Sequence, residues 1–182
     1  MSSVVISGDS SGAITLAAPS VAGTNTISLP ALTGTVGLSG PAFSAFISTQ
    51  SVSADTATKM AYNNVIFDTA SKYNNTGSTV NGIPAYSFLP NVAGYYQVNM
   101  SSYWASYGGG GFVNIALYKN GTGYTEYTRI NATSGTMSGS GIVYLNGTTD
   151  YIQMYVAPTT SSLTGATGGA FSYFQVAFVR SA

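Results

Sequence analysis

Short runs of apolar, β-branched and aromatic residues recur along this chain, each bounded by Gly, Pro, Asn or Ser. Nowhere do apolar residues repeat over two turns at the i, i+3, i+4, i+7 spacing of an amphipathic helix. Short runs separated by turn-forming residues are typical of strands in sandwiches and barrels. The sequence therefore predicts an all-β protein.

The first 40 residues differ from the rest in the length of their strand-like runs. These runs have three or four residues and lie at positions 4–6, 13–16, 26–29 and 35–38. Strands this short bury too little apolar area to offset the entropy lost when the chain is ordered. We therefore expect residues 1–40 to form a β-rich attachment segment that needs identical chains or another protein around it. Its contacts should come from apolar residues: Val4, Ile6, Ile14, Leu16, Ile27 and Leu29.

Residues 41–182 have longer runs and two hairpin signals. The signals are Asn120-Gly121 and Asn146-Gly147, because Asn and Gly both tolerate the positive φ of tight hairpin turns. Strand-like runs lie near 42–48, 64–69, 84–89, 94–104, 112–119, 125–131, 137–145, 150–156 and 171–180. This number of strands in one domain predicts a sandwich or jelly roll of about ten strands.

Alternation within two of these runs predicts which side chains face inward. Every second residue is large and apolar in both: Tyr96, Val98 and Met100 in one, Phe174, Val176 and Phe178 in the other. Because successive side chains of a strand point to opposite faces, these residues share one face. We expect them to be buried, either inside the sandwich or in a seam between protomers.

Charged residues make up only 5% of the chain, with five Lys and Arg against five Asp and Glu. In an ordinary domain about a quarter of the residues are charged. Nucleic-acid binding draws its affinity from Lys and Arg that neutralise phosphates, so we expect no nucleic-acid partner. A chain of zero net charge also lacks the self-repulsion that keeps monomers apart, which favours an oligomer or a part of a larger assembly.

Histidine and cysteine are both absent, which removes the commonest general base and any thiol nucleophile. No two of the five carboxylates lie within ten positions of each other. We therefore expect no enzyme, no catalytic residue and no cofactor. Asp150, which follows the Asn146-Gly147 turn, is the best-placed carboxylate for binding calcium through oxygen, with a turn-capping Asp as the plainer alternative.

The N-terminus has no basic stretch followed by a continuous apolar one, so we expect no secretory signal and synthesis in a cytoplasm. No run approaches 18 consecutive apolar residues, so we expect no membrane insertion.

Aromatic residues and glycines meet in the stretch Tyr103–Gly111. Tyr, Ser and Gly are common in adaptable binding loops, because Tyr offers a large amphipathic contact area at low entropic cost. Tyr103, Trp104 and Tyr107 are therefore candidates for a ligand-facing loop. The alternative is that Tyr103 and its neighbours are strand residues leading to a flexible hairpin tip.

Four motifs follow one another along residues 41–182. They are Val65-Ile66-Phe67-Asp68 with Tyr73-Asn74, then Phe88-Leu89-Pro90-Asn91-Val92-Ala93-Gly94-Tyr95-Tyr96-Gln97-Val98, then Ala116-Leu117-Tyr118-Lys119-Asn120-Gly121, and finally Phe171-Ser172-Tyr173-Phe174. Together they resemble the complement C1q-like globular domain, although Tyr173 stands where that family usually has Gly. The resemblance implies a C1q/TNF-like jelly roll of ten strands, a compact homotrimer around an apolar axis, and no enzymatic activity.

The N-terminal stretches at 6–16, 23–31 and 33–36 resemble leader segments of bacteriophage virion proteins. Joined to a C1q-like domain, they indicate a phage virion component made in the host cytoplasm. We expect a trimeric capsid decoration or cement protein. Residues 1–40 would dock on the major capsid protein or another virion protein, and residues 41–182 would form the displayed knob.

The alternative function is a trimeric tail or head fibre knob that binds a host surface glycan. A fibre needs a long shaft, and only 40 residues precede the knob in this sequence. Fully extended, that stretch spans at most about 3.3–3.6 Å per residue. Its length therefore favours decoration over the fibre.

Overall fold

The computed structural model describes residues 3–7, 12–17, 40–108, 111–131, 133–167 and 171–182. The chain divides into two compact units, Met1–Val36 and Gly37–Ala182. Our boundary after residue 40 stays a prediction. All regular structure in the described ranges is β. A helix able to cross a membrane is not found in those ranges.

The smaller unit contains an antiparallel hairpin of β1 (Ser3–Ser7) and β2 (Ala13–Ala17). Its register runs from the Ser3 and Ala17 pair to the Ser7 and Ala13 pair. These strands confirm the runs predicted at 4–6 and 13–16, whereas the runs at 26–29 and 35–38 lie outside the described residues. A two-stranded hairpin is at best marginally stable by itself in water.

The larger unit has thirteen strands within the described residues. The first seven are β3 (Ala42–Phe46), β4 (Thr49–Val52), β5 (Thr58–Lys59), β6 (Asn64–Asp68), β7 (Tyr73–Asn74), β8 (Ser87–Phe88) and β9 (Gly94–Tyr107). The other six are β10 (Val113–Lys119), β11 (Thr122–Ile130), β12 (Gly135–Leu145), β13 (Ile152–Pro158), β14 (Leu163–Thr167) and β15 (Tyr173–Ser181).

These strands form two antiparallel sheets. The six-stranded sheet has the order β11-β10-β13-β8-β7, with β5 also paired to β13. The seven-stranded sheet has the order β4-β14-β9-β15-β3-β6, with β12 also paired to β9. β9 is the hub of the second sheet because its 14 residues pair with β12 along one edge and with β15 and then β14 along the other.

The core lies between the inner faces of the two sheets. Alternate residues of β9 and β15 are buried as predicted: Tyr96, Val98, Met100, Phe174 and Val176. Phe178 is only partly buried and packs against this core.

Aromatic rings tie the two sheets together. Phe43 on β3 stacks on Tyr73 of β7 with 4.2 Å between ring centroids and lies 5.0 Å from Phe88 of β8. Burial of each such ring contributes about 1.5–3 kcal/mol. Since Phe43 belongs to the seven-stranded sheet and its partners to the six-stranded sheet, this cluster holds the sandwich closed.

The loop expected at Tyr103–Gly111 begins later than predicted. β9 continues to Tyr107, and Trp104 and Tyr107 are only 2% and 3% exposed, so assigning them to a loop is wrong. The reason is β14, a strand that the sequence did not predict. Its backbone pairs with Tyr107 and Trp104 and extends the sheet at the point where we expected it to end. Tyr103 is half-buried.

Candidate self-association face

The larger unit has nine charged residues, and the six of them that lie on strands are unevenly distributed. The sequences of β12, β9, β15 and β3 contain a single charged residue, Arg180, near the end of β15. These four strands are neighbours in the seven-stranded sheet. We call the outward-pointing side chains of these strands the neutral face.

One end of the neutral face is aromatic and aliphatic. Tyr144 on β12 lies opposite Tyr95 on β9, with 5.7 Å between their ring centroids. Ile142 is 57% exposed on the same strand as Tyr144. The guanidinium of Arg180 lies 4.8 Å from the ring centroid of Tyr95 and partly covers that ring.

The other end of the neutral face is also aromatic. Tyr103 lies 5.6 Å from Phe171, centroid to centroid, and Phe171 is 56% exposed. Tyr173 on β15 is paired with Phe46 on β3, and both are half-buried. Large apolar side chains therefore lie at both ends of this face.

The middle of the neutral face is polar but uncharged. Backbone pairing places Ser140, Asn99, Gln175 and Ser44 in one row across β12, β9, β15 and β3. The Gln175 side-chain amide donates to the Ser44 hydroxyl over 3.1 Å. An open hollow of about 490 Å³ lies here, lined by Asn99, Ser138, Gly139, Ser140, Tyr173 and Gln175.

The inner side of β12 is held by a ring from the other sheet. Tyr127 on β11 lies over Gly139 and Gly141, where an added Cβ would come within 2.3 Å and 2.4 Å of its side-chain atoms. The Thr128 hydroxyl donates to the Ser138 carbonyl. The two glycines thus admit Tyr127, which closes one edge of the sandwich and fixes the position of β12.

Asp150 joins the two Asn-Gly turns. Its carboxylate lies 2.9 Å from the Lys119 ammonium, accepts from the Asn120 amide over 2.8 Å, and accepts from the Asn146 backbone N–H over 3.1 Å. Burial alone raises the pKa of Asp150, but the hydrogen bonds from Asn120, Lys119 and Asn146 outweigh it and hold that pKa below its ordinary value.

A cation at Asp150 would have to displace these donors. No group of three or more acidic side chains able to share a metal ion occurs in the described ranges. The arrangement is that of a turn-capping carboxylate.

The attachment residues are only partly described. Backbone pairing joins Val4 with Leu16 and Ile6 with Ile14, and Ile6 is 55% exposed. Ile27 and Leu29 lie outside the described residues. The hairpin thus brings four of the six predicted positions into two neighbouring pairs, and their role in attachment stays a prediction.

Apart from Tyr103, the sequence did not single out the residues of the neutral face as candidates for a site. Tyr95, Asn99 and Gln175 lie at outward positions of β9 and β15, whose inward positions were predicted. Ile142 and Tyr144 lie on β12, for which only a strand-like run was predicted. The signal that could have found them is the absence of charge at outward positions, where soluble domains commonly carry charged side chains.

No protein-family model matches the sequence, and no curated protein shows significant similarity to it. Solved structures do share its fold. PRD1 vertex protein P5 superposes with a TM-score of 0.58 at 12% identity, over 79% of this chain and 100% of that chain. Eiger TNF from S. frugiperda superposes with a TM-score of 0.54 at 11% identity, over 78% and 95% of the two chains.

Murine APRIL superposes with a TM-score of 0.52 at 9% identity, over 76% of this chain and 98% of that chain. Identities this low show a common fold and leave function open. The predicted C1q/TNF-like jelly roll is thereby confirmed as the fold class.

Proposed function

We propose that this chain is a non-enzymatic, trimeric structural protein of a bacteriophage virion, and that its protomers associate through the neutral face. The observation that carries the proposal is the neutral face itself: four adjacent strands with one charged residue, and aromatic side chains at both ends.

The chemistry of this face suits a protein partner better than water. Interface cores are depleted in charged residues and enriched in aromatic ones, especially Tyr. Exposed groups of large apolar side chains, such as those at the two ends of this face, are also typical of interaction sites. The resemblance to C1q-like domains implies a homotrimer, so we take the partner to be further copies of this chain.

Variants on two different strands test this association. Ile142→Lys places a charge on the neutral face, whereas Tyr124→Lys makes the same change on β11 at a side chain that is 49% exposed. We expect Ile142→Lys to weaken association at least tenfold, because a buried unpaired charge is costly, and Tyr124→Lys to leave it unchanged. Equal weakening by both variants, with both folded, would reject the neutral face as the contact.

The virion assignment rests on two separate supports. One is the likeness of fold to PRD1 vertex protein P5, all of which is covered by the match. The other is the resemblance of the N-terminal stretches to phage leader segments. Within the virion we propose a capsid decoration or cement role, in which residues 1–40 dock on the major capsid protein or another virion protein.

The location can be tested directly on particles. Virions that carry a labelled copy of this chain should show the label over the whole head. Chains that begin at Pro41 should fold and trimerise but fail to decorate particles. Label confined to the tail would reject decoration, and full decoration by the shortened chain would reject residues 1–40 as the attachment segment.

A second candidate function is a knob that binds a host surface glycan. The observation in its favour is a stacked pair, Tyr118 and Tyr155, on the outer side of the six-stranded sheet, with 3.8 Å between ring centroids. Lys59 lies beside Tyr155 in register, and Glu126 lies opposite Ala116 nearby. Aromatic rings with a few polar groups around them are common in sites for small organic ligands.

Adsorption of virions to host cells separates the two functions. On the glycan hypothesis, Tyr155→Ala lowers adsorption while particle stability to heat is unchanged, and Tyr124→Ala has no effect. On the decoration hypothesis, neither variant changes adsorption.

A further inference from the structure

The neutral face has a feature that simple apolar association does not explain, namely the polar hollow between its two aromatic ends. Asn99, Ser138, Ser140 and Gln175 line it, and we call these four residues the amide belt. Asn99 accepts a hydrogen bond from the Gln97 amide over 3.2 Å. Gln175 donates to Ser44 over 3.1 Å, so two of the belt residues are held in defined positions.

We propose that the amide belt sets the register and the stoichiometry of self-association, as a hydrated polar zone that must meet its counterpart in the neighbouring protomers. This inference rests on the proposed association through the neutral face. It goes further by naming the residues that select one assembly among those that the aromatic ends alone would allow.

The first argument is the cost of misplacing amides. Tyr rings at both ends can pack against one another in several registers, because aromatic contacts are tolerant of sliding. An amide or hydroxyl that is buried against such a ring loses its hydrogen bonds to water without replacement. Registers in which the belt of one protomer lies against an aromatic end of another are therefore less stable. The register in which the belts lie against one another is favoured.

The second argument is the shape of the belt. A concave region of about 490 Å³ is not filled when three copies of this face surround a threefold axis, so space remains between them. Polar cavities of this size hold water that bridges the groups around it. In the aligned register, bridging waters can form the hydrogen bonds that the Asn99 and Gln175 amides need. Direct contacts between every pair of side chains are then unnecessary.

Single polar residues in otherwise apolar interfaces have this role in coiled coils, where a buried Asn specifies register and oligomer state at a cost in stability. The belt is the sheet equivalent, with its polar residues lying across three adjacent strands, β12, β9 and β15. A chain in which apolar residues replace the belt amides should then associate more tightly, but in several registers and stoichiometries.

The test compares the intact chain with Asn99→Leu combined with Gln175→Leu. We expect the intact chain to form one species, and the double variant to associate at least tenfold more tightly while forming several stoichiometries. Native mass spectrometry counts the species, and dilution below the micromolar range, to the point where the intact chain dissociates, measures the affinity. Asn99→Leu alone should also form several species and serves if the double variant does not fold. Asn99→Thr, which replaces the amide with a hydroxyl and so keeps a hydrogen-bonding group, should remain a single species.

The matched control is Asn114→Leu, which makes the same replacement at a half-buried position of β10 in the other sheet. It should leave both stoichiometry and affinity unchanged. A double variant that forms the same single species as the intact chain overturns the role of the belt while leaving the proposed association in place. A monomeric intact chain overturns both.

Discussion

The outer sides of the two sheets follow the same alternation of strand residues but differ in charge. The six-stranded sheet carries Lys59 on β5 and Glu126 and Arg129 on β11. The neutral face of the seven-stranded sheet carries only Arg180, which lies against Tyr95. In a chain with so few charges, their absence from one broad face indicates that the two sides meet different surroundings.

The two sheets share one hydrophobic core. A substitution in that core should therefore lower the stability of the whole sandwich. Phe43→Ala deletes a ring that contacts Tyr73, Phe88 and Phe174. We expect a loss of about 3–5 kcal/mol in the free energy of unfolding, measured by chemical denaturation. Phe112→Ala removes a ring that is 46% exposed and should change stability by less than about 0.5 kcal/mol. Similar losses in both variants would mean that Phe43 does not join the sheets.

A smaller loss of stability is expected from a substitution at the edge where β12 of one sheet meets β11 of the other. Gly139→Ala brings a Cβ within 2.3 Å of the Tyr127 Cβ, an atom that cannot move without its backbone. We expect a loss of about 1–3 kcal/mol from overpacking, seen as a lower thermal midpoint. Gly123→Ala is the control, because its added Cβ would lie 3.8 Å from the Tyr118 ring in ordinary contact. If Gly139→Ala is as stable as the control, Tyr127 does not fix β12.

The next effect concerns Asp150, whose ion-pair partner Lys119 also donates to the Tyr144 carbonyl on β12. Because folding lowers the pKa of Asp150, its stabilisation is present above the unfolded pKa of about 3.9 and is lost as pH falls through the folded pKa. Asp150→Asn should cost about 1–2 kcal/mol at pH 7.

The control for this prediction is the pH dependence of the difference in unfolding free energy between the intact chain and Asp150→Asn. Unfolding followed from pH 7 down to pH 2 should show the gap between intact chain and Asp150→Asn closing on acidification. A gap that stays constant would mean that the carboxylate charge contributes nothing.

The smallest effect is expected at Tyr96, whose hydroxyl donates to the Val92 carbonyl over 2.6 Å. Burial raises the pKa of Tyr96 to about 12, compared with about 10 in the unfolded chain. The contribution of the neutral Tyr96 hydroxyl to the free energy of unfolding is therefore complete below pH 10 and is lost as pH rises towards 12. Tyr96→Phe should cost about 0.5–1.5 kcal/mol at pH 7 and less at pH 11, as measured by denaturant unfolding at the two pH values. A cost that grows with pH would contradict this assignment.

Inward-facing residues were predictable where a strand is long and alternates regularly. Tyr96, Val98 and Met100 follow one another at every second position, and no tertiary information is needed to place them together. The position of Trp104 and Tyr107 was not predictable in this way. It depends on β14, whose five residues include a glycine and become a strand only through pairing with β9 and β4.

The neutral face was beyond prediction for a different reason. Its strands β3, β9, β12 and β15 are far apart in sequence and become neighbours only in the folded sheet. Nothing in the sequence relates Ser140, Asn99 and Gln175 to one another. Only backbone pairing in the folded sheet places them in one row. The C1q-like motifs predicted the sandwich, whereas the charge pattern of one face needed the strand order.

The central claim is that the neutral face is covered by further copies of this chain. Sedimentation equilibrium of the intact chain at micromolar concentration tests it most directly. We predict a single species of about 56 kDa, three times the chain mass of 18.6 kDa, that does not dissociate on dilution through this range. A stable species of 18.6 kDa at the same concentrations would contradict it.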